Sequence, residues 1–350
     1  MFGQRALRLW RIFCRKGDTA MRLNPMFCDG AVFQAGKPLR IFGTGGGNIE
    51  IDFLGKTYAE EKTGTAWCME LPAMPYGGPY EMTITMAARR QTIKNLYFGD
   101  VYVLAGQSNM QFKLREAEYT EDMCASDALL RLFSTETVDT GESFFPQDGW
   151  VVAEKEQVKN WSCLGYLAGA ELRKRTGRAI GLITCYQGAA DIQTFLPESA
   201  FENSAFRLDD KDRFDMHFPW NKGHSMLYNF QVRQIVPYSV KAILWYQGES
   251  NNSEKESLVY GDMLSYLIHS WRAAFCDENL PFAVVQIADF DGRNNDYWHR
   301  IQKVQAEIEY KEKHVKTVIS RDICESDDIH PKKKYELAMR IADAFSVLEK

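Results

Sequence analysis

The chain has no apolar run approaching the roughly 20 residues of a membrane-spanning helix. Its apolar stretches, such as Val101–Ala105, are strand-sized. No long basic block is present and the formal net charge is −5, which argues against nucleic acid as a partner. The eight cysteines (14, 28, 68, 124, 163, 185, 276 and 324) form no Cys-x-x-Cys pair and no zinc-like spacing. A disulfide scaffold and a structural metal are therefore not expected, and most of these thiols read as small core residues. No uninterrupted apolar core follows the basic N-terminus, because Arg8 and Arg11 break up Leu7, Leu9 and Trp10. That excludes a signal peptide from the reading and makes a cytoplasmic protein the expectation. No repeat or low-complexity tract occurs. The Gly-x-Ser-x-Gly elbow is also missing: Met110 stands where its second glycine would be.

With 350 residues, the chain is long enough for two domains. Residues 1–20 read as an extension outside the fold, since Met21 precedes the first convincing strand. Residues 21–99 read as a small all-β domain. Thr44-Gly45-Gly46-Gly47 resembles a phosphate loop but leads into the alternating strand Asn48–Phe53, which predicts a bend. Tyr80–Met86 alternates in the same way. From residue 100, apolar runs (Val101–Ala105, Ala179–Tyr186, Ala242–Tyr246, Phe282–Ile287, Thr317–Ser320) alternate with helical stretches (Leu164–Thr176, Leu258–Phe275, Lys333–Leu348). That pattern predicts an α/β fold with a parallel sheet covered by helices on both faces. Gly177 is the expected cap of the first of these helices. Residues 195–225, polar and aromatic, read as an irregular insertion near the sheet's functional edge. The 8 Trp residues read as core before they read as sugar platforms.

Candidate chemistry collects at strand ends. Ser108 follows Val101–Ala105 and Gly106, where open α/β sheets build their sites. A serine nucleophile needs a base, and the base needs an orienting acid. Of six histidines, His330 stands in a loop after the last strand, preceded by Asp327 and Asp328. Two further strand ends run into Gln187-Gly188-Ala189 and Gln247-Gly248-Glu249-Ser250-Asn251. A glycine N–H and a glutamine amide are the parts of an oxyanion hole.

These blocks resemble the sialate O-acetylesterase family of the SGNH (GDSL-like) hydrolases. Gly106-Gln107-Ser108-Asn109-Met110, Trp245–Asn251 and Asp328-Ile329-His330-Pro331 carry the likeness. It extends to Asp29–Gln34, Gly77–Tyr80 and Leu227-Tyr228-Asn229, and so covers about residues 21–345. The family commonly has Trp-Gly-Gly where this chain has Gln187-Gly188-Ala189. The resemblance implies an SGNH-hydrolase-like (flavodoxin-like) parallel sheet over residues 100–350 and a β-sandwich-like accessory domain over 21–99. It implies a serine esterase that removes O-acetyl groups from a carbohydrate, foremost O-acetylated sialic acid, with Ser108 as nucleophile and His330 as base. The superfamily pattern places the acid at Asp327; Asp328 is the alternative. The implied oxyanion donors are the N–H groups of Ser108 and Gly188 and the Gln247 amide, with Glu249 and Asn251 as braces. No cofactor is implied. An acetylxylan or other polysaccharide esterase would use the same parts, and a non-catalytic carbohydrate-binding protein is the alternative of another class. No sequence feature assigns an oligomeric state.

Overall fold

The computed structural model describes residues 21–86, 89–135, 149–293 and 295–348. The expected 1–20 extension and Cys14 lie outside the described residues.

The N-terminal part is built from β-strands. β1 (Arg22–Leu23), β3 (Leu39–Thr44) and β6 (Ala66–Leu71) form one antiparallel sheet. β2 (Val32–Gln34) lies parallel to residues 97–99 of a longer strand. β4 (Gly47–Phe53) pairs with β5 (Lys56–Lys62) and β7 (Gly77–Met86). In β4 the alternation is literal: Ile49, Ile51 and Phe53 are buried while Asn48 and Glu50 are exposed. The Leu54-Gly55 turn has both residues at positive φ, the geometry that joins twisted strands in two residues. β5 carries Lys56, Glu60 and Glu61 on an exposed edge, where charge discourages pairing with another chain.

β8 (Arg89–Gly106) changes the domain picture. Its first half pairs with β7; its second half is the centre of the parallel sheet. The expected boundary between residues 99 and 100 therefore falls inside an 18-residue strand. The two parts share backbone hydrogen bonding and have no linker between them. Side chains add to the join. Arg131 donates to the carbonyls of Gly30 (2.6 Å) and Asn95 (2.7 Å), and the Tyr238 hydroxyl donates to Val32 O at 2.8 Å.

The main sheet runs β10 (Trp150–Ala153), β9 (Asp127–Phe133), β11 (Ile180–Tyr186), β8, β12 (Ala242–Tyr246), β13 (Phe282–Val285), β14 (Val315–Val318). All neighbours are parallel except β10, which is antiparallel to β9. Every residue of β12 and β13 is buried, which requires cover on both faces. Helices supply it: α2 (Cys163–Thr176) packs with α5 (Tyr335–Leu348), and α3 (Glu254–Ala274) with α4 (Asp296–Lys311). Ser162 caps α2 at its start and Gly177, at φ +69°, ends it. Trp245 meets Phe195 and Trp271 edge-on, at 5.3 and 6.0 Å between ring centres. The last strand begins at Val315 and ends at Val318, two residues before the stretch read from the sequence. Ser320 has by then left the ladder and donates to Gln286 O. Residues 192–221 form successive short turns pinned by buried Phe195, Phe201, Phe206 and Trp220.

After β8 the chain builds β9, β10 and β11 on one side, then crosses to β12 on the other. Such a reversal opens a crevice at the carboxyl end of the central strand. Gly106 makes the exit possible. Its φ is +135°, and a Cβ there would lie 2.0 Å from Tyr246 O. Gly106→Ala combines backbone strain with overlap on an immovable carbonyl. Its expected cost is about 3 kcal/mol or more, read by denaturant unfolding.

Candidate active site

Gln107 leaves β8 in an extended conformation and Ser108 begins the single-turn helix α1 (Ser108–Gln111). The Gln107 side chain fastens this turn to the β12 loop. Its Oε1 accepts from the N–H groups of Gly248 (3.1 Å) and Ser250 (3.2 Å), and its Nε2 donates to Ser250 Oγ at 3.1 Å. Ser108 itself is half-buried. Its Oγ lies 2.8 Å from His330 Nε2, across 222 residues of sequence. Phe112 stacks on the imidazole, with ring centres 5.8 Å apart and planes within 14°.

The neighbouring Asn109 is buried. Its Nδ2 donates to Glu249 Oε1 (2.7 Å) and to the carbonyl of Ile329 (2.9 Å), and its Oδ1 accepts from Lys334 Nζ (2.6 Å). The residue beside the serine thus holds the residue beside the histidine.

Burial is the largest influence on His330 and lowers its pKa; the cations Lys334 and Arg293 push the same way, against Asp328 and Glu116. The imidazole is therefore biased toward its neutral form, the one that can accept a proton from a hydroxyl.

The expected acid does not occupy its place. Asp327 is exposed and makes no hydrogen bond to the imidazole. Asp328 acts electrostatically on the imidazole, but its Oδ1 accepts the backbone N–H of His330 at 2.9 Å, closing a two-residue turn. Among the described residues, the imidazole's hydrogen bond is to Ser108 alone.

The oxyanion donors also differ from expectation. Gln247 is fully buried and both its amide hydrogens are in use, to Ala190 O (3.1 Å) and Asn251 Oδ1 (2.7 Å). The Tyr260 hydroxyl lies 3.1 Å from its Oε1. Gln247 is a brace here, because a saturated amide has no hydrogen left to donate. Gly188 does face the serine: a Cβ there would lie 3.9 Å from Ser108 Cβ. Its N–H, however, donates to Gln111 Oε1 at 2.8 Å. The Ser108 N–H makes no hydrogen bond to a described residue. Asn251 is a brace as expected, tying Gln193, Ile192 and Glu256 together. Glu249 is buried, which raises its pKa, and its Oε2 has no hydrogen-bond partner among the described residues.

Sequence reasoning missed Lys334, Arg293, Phe112 and Gln111. Phe112 and Gln111 directly follow the serine block, so their proximity was available. Lys334 is the last of three consecutive lysines, and nothing in the run marks the buried one. Arg293 donates to Glu249 O at 2.9 Å and covers the exposed ring of Phe214, 4.4 Å from its centre. Among the described residues no cluster of His, Cys, Asp and Glu is arranged to hold a metal ion.

An NMR titration of the His330 ring should show an inflection below the ordinary histidine value of about 6.5; an inflection at or above that value would contradict the bias described here.

A family model for carbohydrate esterases, sialic acid-specific acetylesterases, matches residues 98–346. Sialate O-acetylesterases of Pongo abelii and Homo sapiens are each 24% identical over 348 residues, covering 88% of this chain and 66% of theirs. The chain thus spans just under two thirds of the length of these relatives. The crystal structure of a carbohydrate acetylesterase from Xanthomonas citri superposes with a TM-score of 0.79 at 27% identity, over 93% of this chain and 74% of that one. With the match running from the centre of β8 to the end of α5, this chain belongs to the sialic acid-specific acetylesterase family of carbohydrate esterases.

Proposed function

We propose that the chain is a serine esterase that releases acetate from an O-acetylated sugar. One observation carries the reading: the 2.8 Å contact between Ser108 Oγ and His330 Nε2 at the switch point of the sheet. In this reading Oγ attacks the acetyl carbonyl while Nε2 takes its proton. The tetrahedral oxyanion is met by the Ser108 N–H and, once the half-buried Gln111 side chain swings away, by the Gly188 N–H. A donor already aimed at the oxyanion is worth ~100-fold or more in rate; in this reading the Ser108 N–H is so placed, and the Gly188 N–H becomes so once Gln111 has moved. His330 next protonates the departing sugar oxygen, leaving acetyl-Ser108. It then draws a proton from water, whose oxygen attacks the acyl carbon. The intermediate collapses to acetate, and His330 returns the proton to Oγ. With no carboxylate bonded to the imidazole, Phe112 stacking and the Asp328 turn hold the ring and its loop.

The substrate we favour is O-acetylated sialic acid. Arg293 supports this choice. Its guanidinium is half-buried beside the site, close enough to act electrically on His330, and has no carboxylate partner within 4 Å among the described residues. A cation so placed suits a sugar that carries its own carboxylate. A neutral polymer such as acetylxylan would leave it only the longer-range charges of Asp215 and Glu249. The aromatic insertion adds Phe214 and the stacked Phe218–Trp220 pair, with ring centres 5.1 Å apart.

Acetate release from O-acetylated sialic acid, acetylated xylan and an activated aryl acetate separates the readings. Ser108→Ala should lose activity on all three while keeping the wild-type unfolding midpoint; undiminished activity would sink the mechanism. Arg293→Met should raise KM for the acidic sugar by about 10- to 100-fold, the worth of one charge-assisted hydrogen bond. Its effect on the neutral aryl ester should be slight. Equal losses on both esters would favour a neutral sugar.

A further inference from the structure

Lys334 is a fully buried amine that the reaction as described leaves without a task; burial lowers its pKa, while Cys324, Cys163, Glu249 and Glu325 act the other way and favour the ammonium. It sits one residue before α5, and its carbonyl accepts the first bond of that helix from Ala338. Its ammonium donates to Asn109 Oδ1 at 2.6 Å. It lies 5.4 Å from the ring centre of Phe112 and 5.5 Å from that of Tyr246. Among the described residues no carboxylate comes within 4 Å of it. One amide oxygen and two aromatic faces are a thin environment for a buried ammonium, whose removal from water costs several kcal/mol.

Each of these partners belongs to the site. Phe112 stacks on His330, Tyr246 O accepts the Gln107 N–H, and Asn109 adjoins Ser108. The orientation of the Asn109 amide follows from chemistry. An ammonium only donates, while the Ile329 carbonyl and an ionised Glu249 only accept, so Oδ1 must face Lys334.

We propose that Lys334 is a positioning residue: its ammonium orients the Asn109 amide, which in turn holds the His330 loop through Ile329 O and keeps Nε2 in reach of Ser108. The proposal rests on reading Ser108 and His330 as the reacting pair. The charge has a second effect. The charged groups acting on His330 are Asp328 from its own loop, Glu116 from the turn after α1, Arg293 from the turn after β13, and Lys334. Deleting the Lys334 cation leaves Arg293 alone against two carboxylates, so the imidazole protonates more readily.

The test is Lys334→Met in the full chain, which fills similar space without charge. With an activated aryl acetate, kcat should fall by about 10- to 100-fold, as for a small misplacement of reacting groups, with KM changed less than about threefold. The acid limb of kcat/KM should move to higher pH. A merely structural lysine would lower the unfolding midpoint and leave kcat and the limb in place, and that result overturns the proposal. Should Lys334→Met not fold, Asn109→Ala carries the test. It keeps the cation but cuts the tether, so kcat should fall while the acid limb stays; an unchanged kcat overturns the proposal. Wild-type protein without activity on any acetyl ester would instead defeat the underlying esterase reading, and this proposal with it.

Discussion

Three loops from three strand ends meet at the Asn109 side chain. Through Glu249 it reaches the end of β12, through the Ile329 carbonyl the loop after β14, and through its own backbone the turn that carries Ser108. Both hydrogen bonds are short, at 2.7 and 2.9 Å, and start from a buried amide, where a hydrogen bond is stronger and an unmade one more costly. Loops are ordinarily the loosest parts of an α/β fold. Here a serine and a histidine 222 residues apart are brought to 2.8 Å because the residues beside them share one amide. Gly106 and Gln107 support that arrangement from below, the first by allowing the backbone to pass Tyr246 and the second by clamping Gly248 and Ser250.

The electrostatic setting is consistent with this geometry. A histidine that acts as a base must be neutral before the reaction and tolerate charge during it. Burial and the two nearby cations favour the neutral form, while Asp328 and Glu116 remain near enough to offset charge as it develops. A bonded carboxylate would serve both needs at one atom. This site divides them among a stacked ring, a backbone turn and distant charges. Beyond Ser108 and His330, Gln247, Asn251, Tyr260 and Gln305 form a buried network that stiffens the β12 loop without facing the serine.

Much of this was legible in the sequence. Ser108, Gly188 and His330 were readable as strand-end residues, and β12 and the Gly177 cap fell where periodicity placed them. What escaped depended on partners distant in the chain. β9 carries Arg131, whose charge disguises a buried strand because the carbonyls that satisfy it come from residues 30 and 95. The boundary read at residues 99 and 100 cut β8, because its first half is exposed on one side and its second half is buried on both. Gln247 looked like a donor because the acceptors that take its two amide hydrogens lie far off in sequence or in the following turn, at 190 and 251. Asp327 followed a spacing rule, but it is exposed, and it is Asp328 that closes a turn onto the His330 N–H.

The central claim is that Ser108 is a nucleophile activated by His330. Its most direct test is treatment of the intact protein with a fluorophosphonate, followed by peptide mass spectrometry. The account predicts a single stoichiometric phosphonyl adduct on Ser108, formed more slowly as His330 becomes protonated. Absence of labelling at Ser108, or labelling that ignores the state of His330, would contradict it.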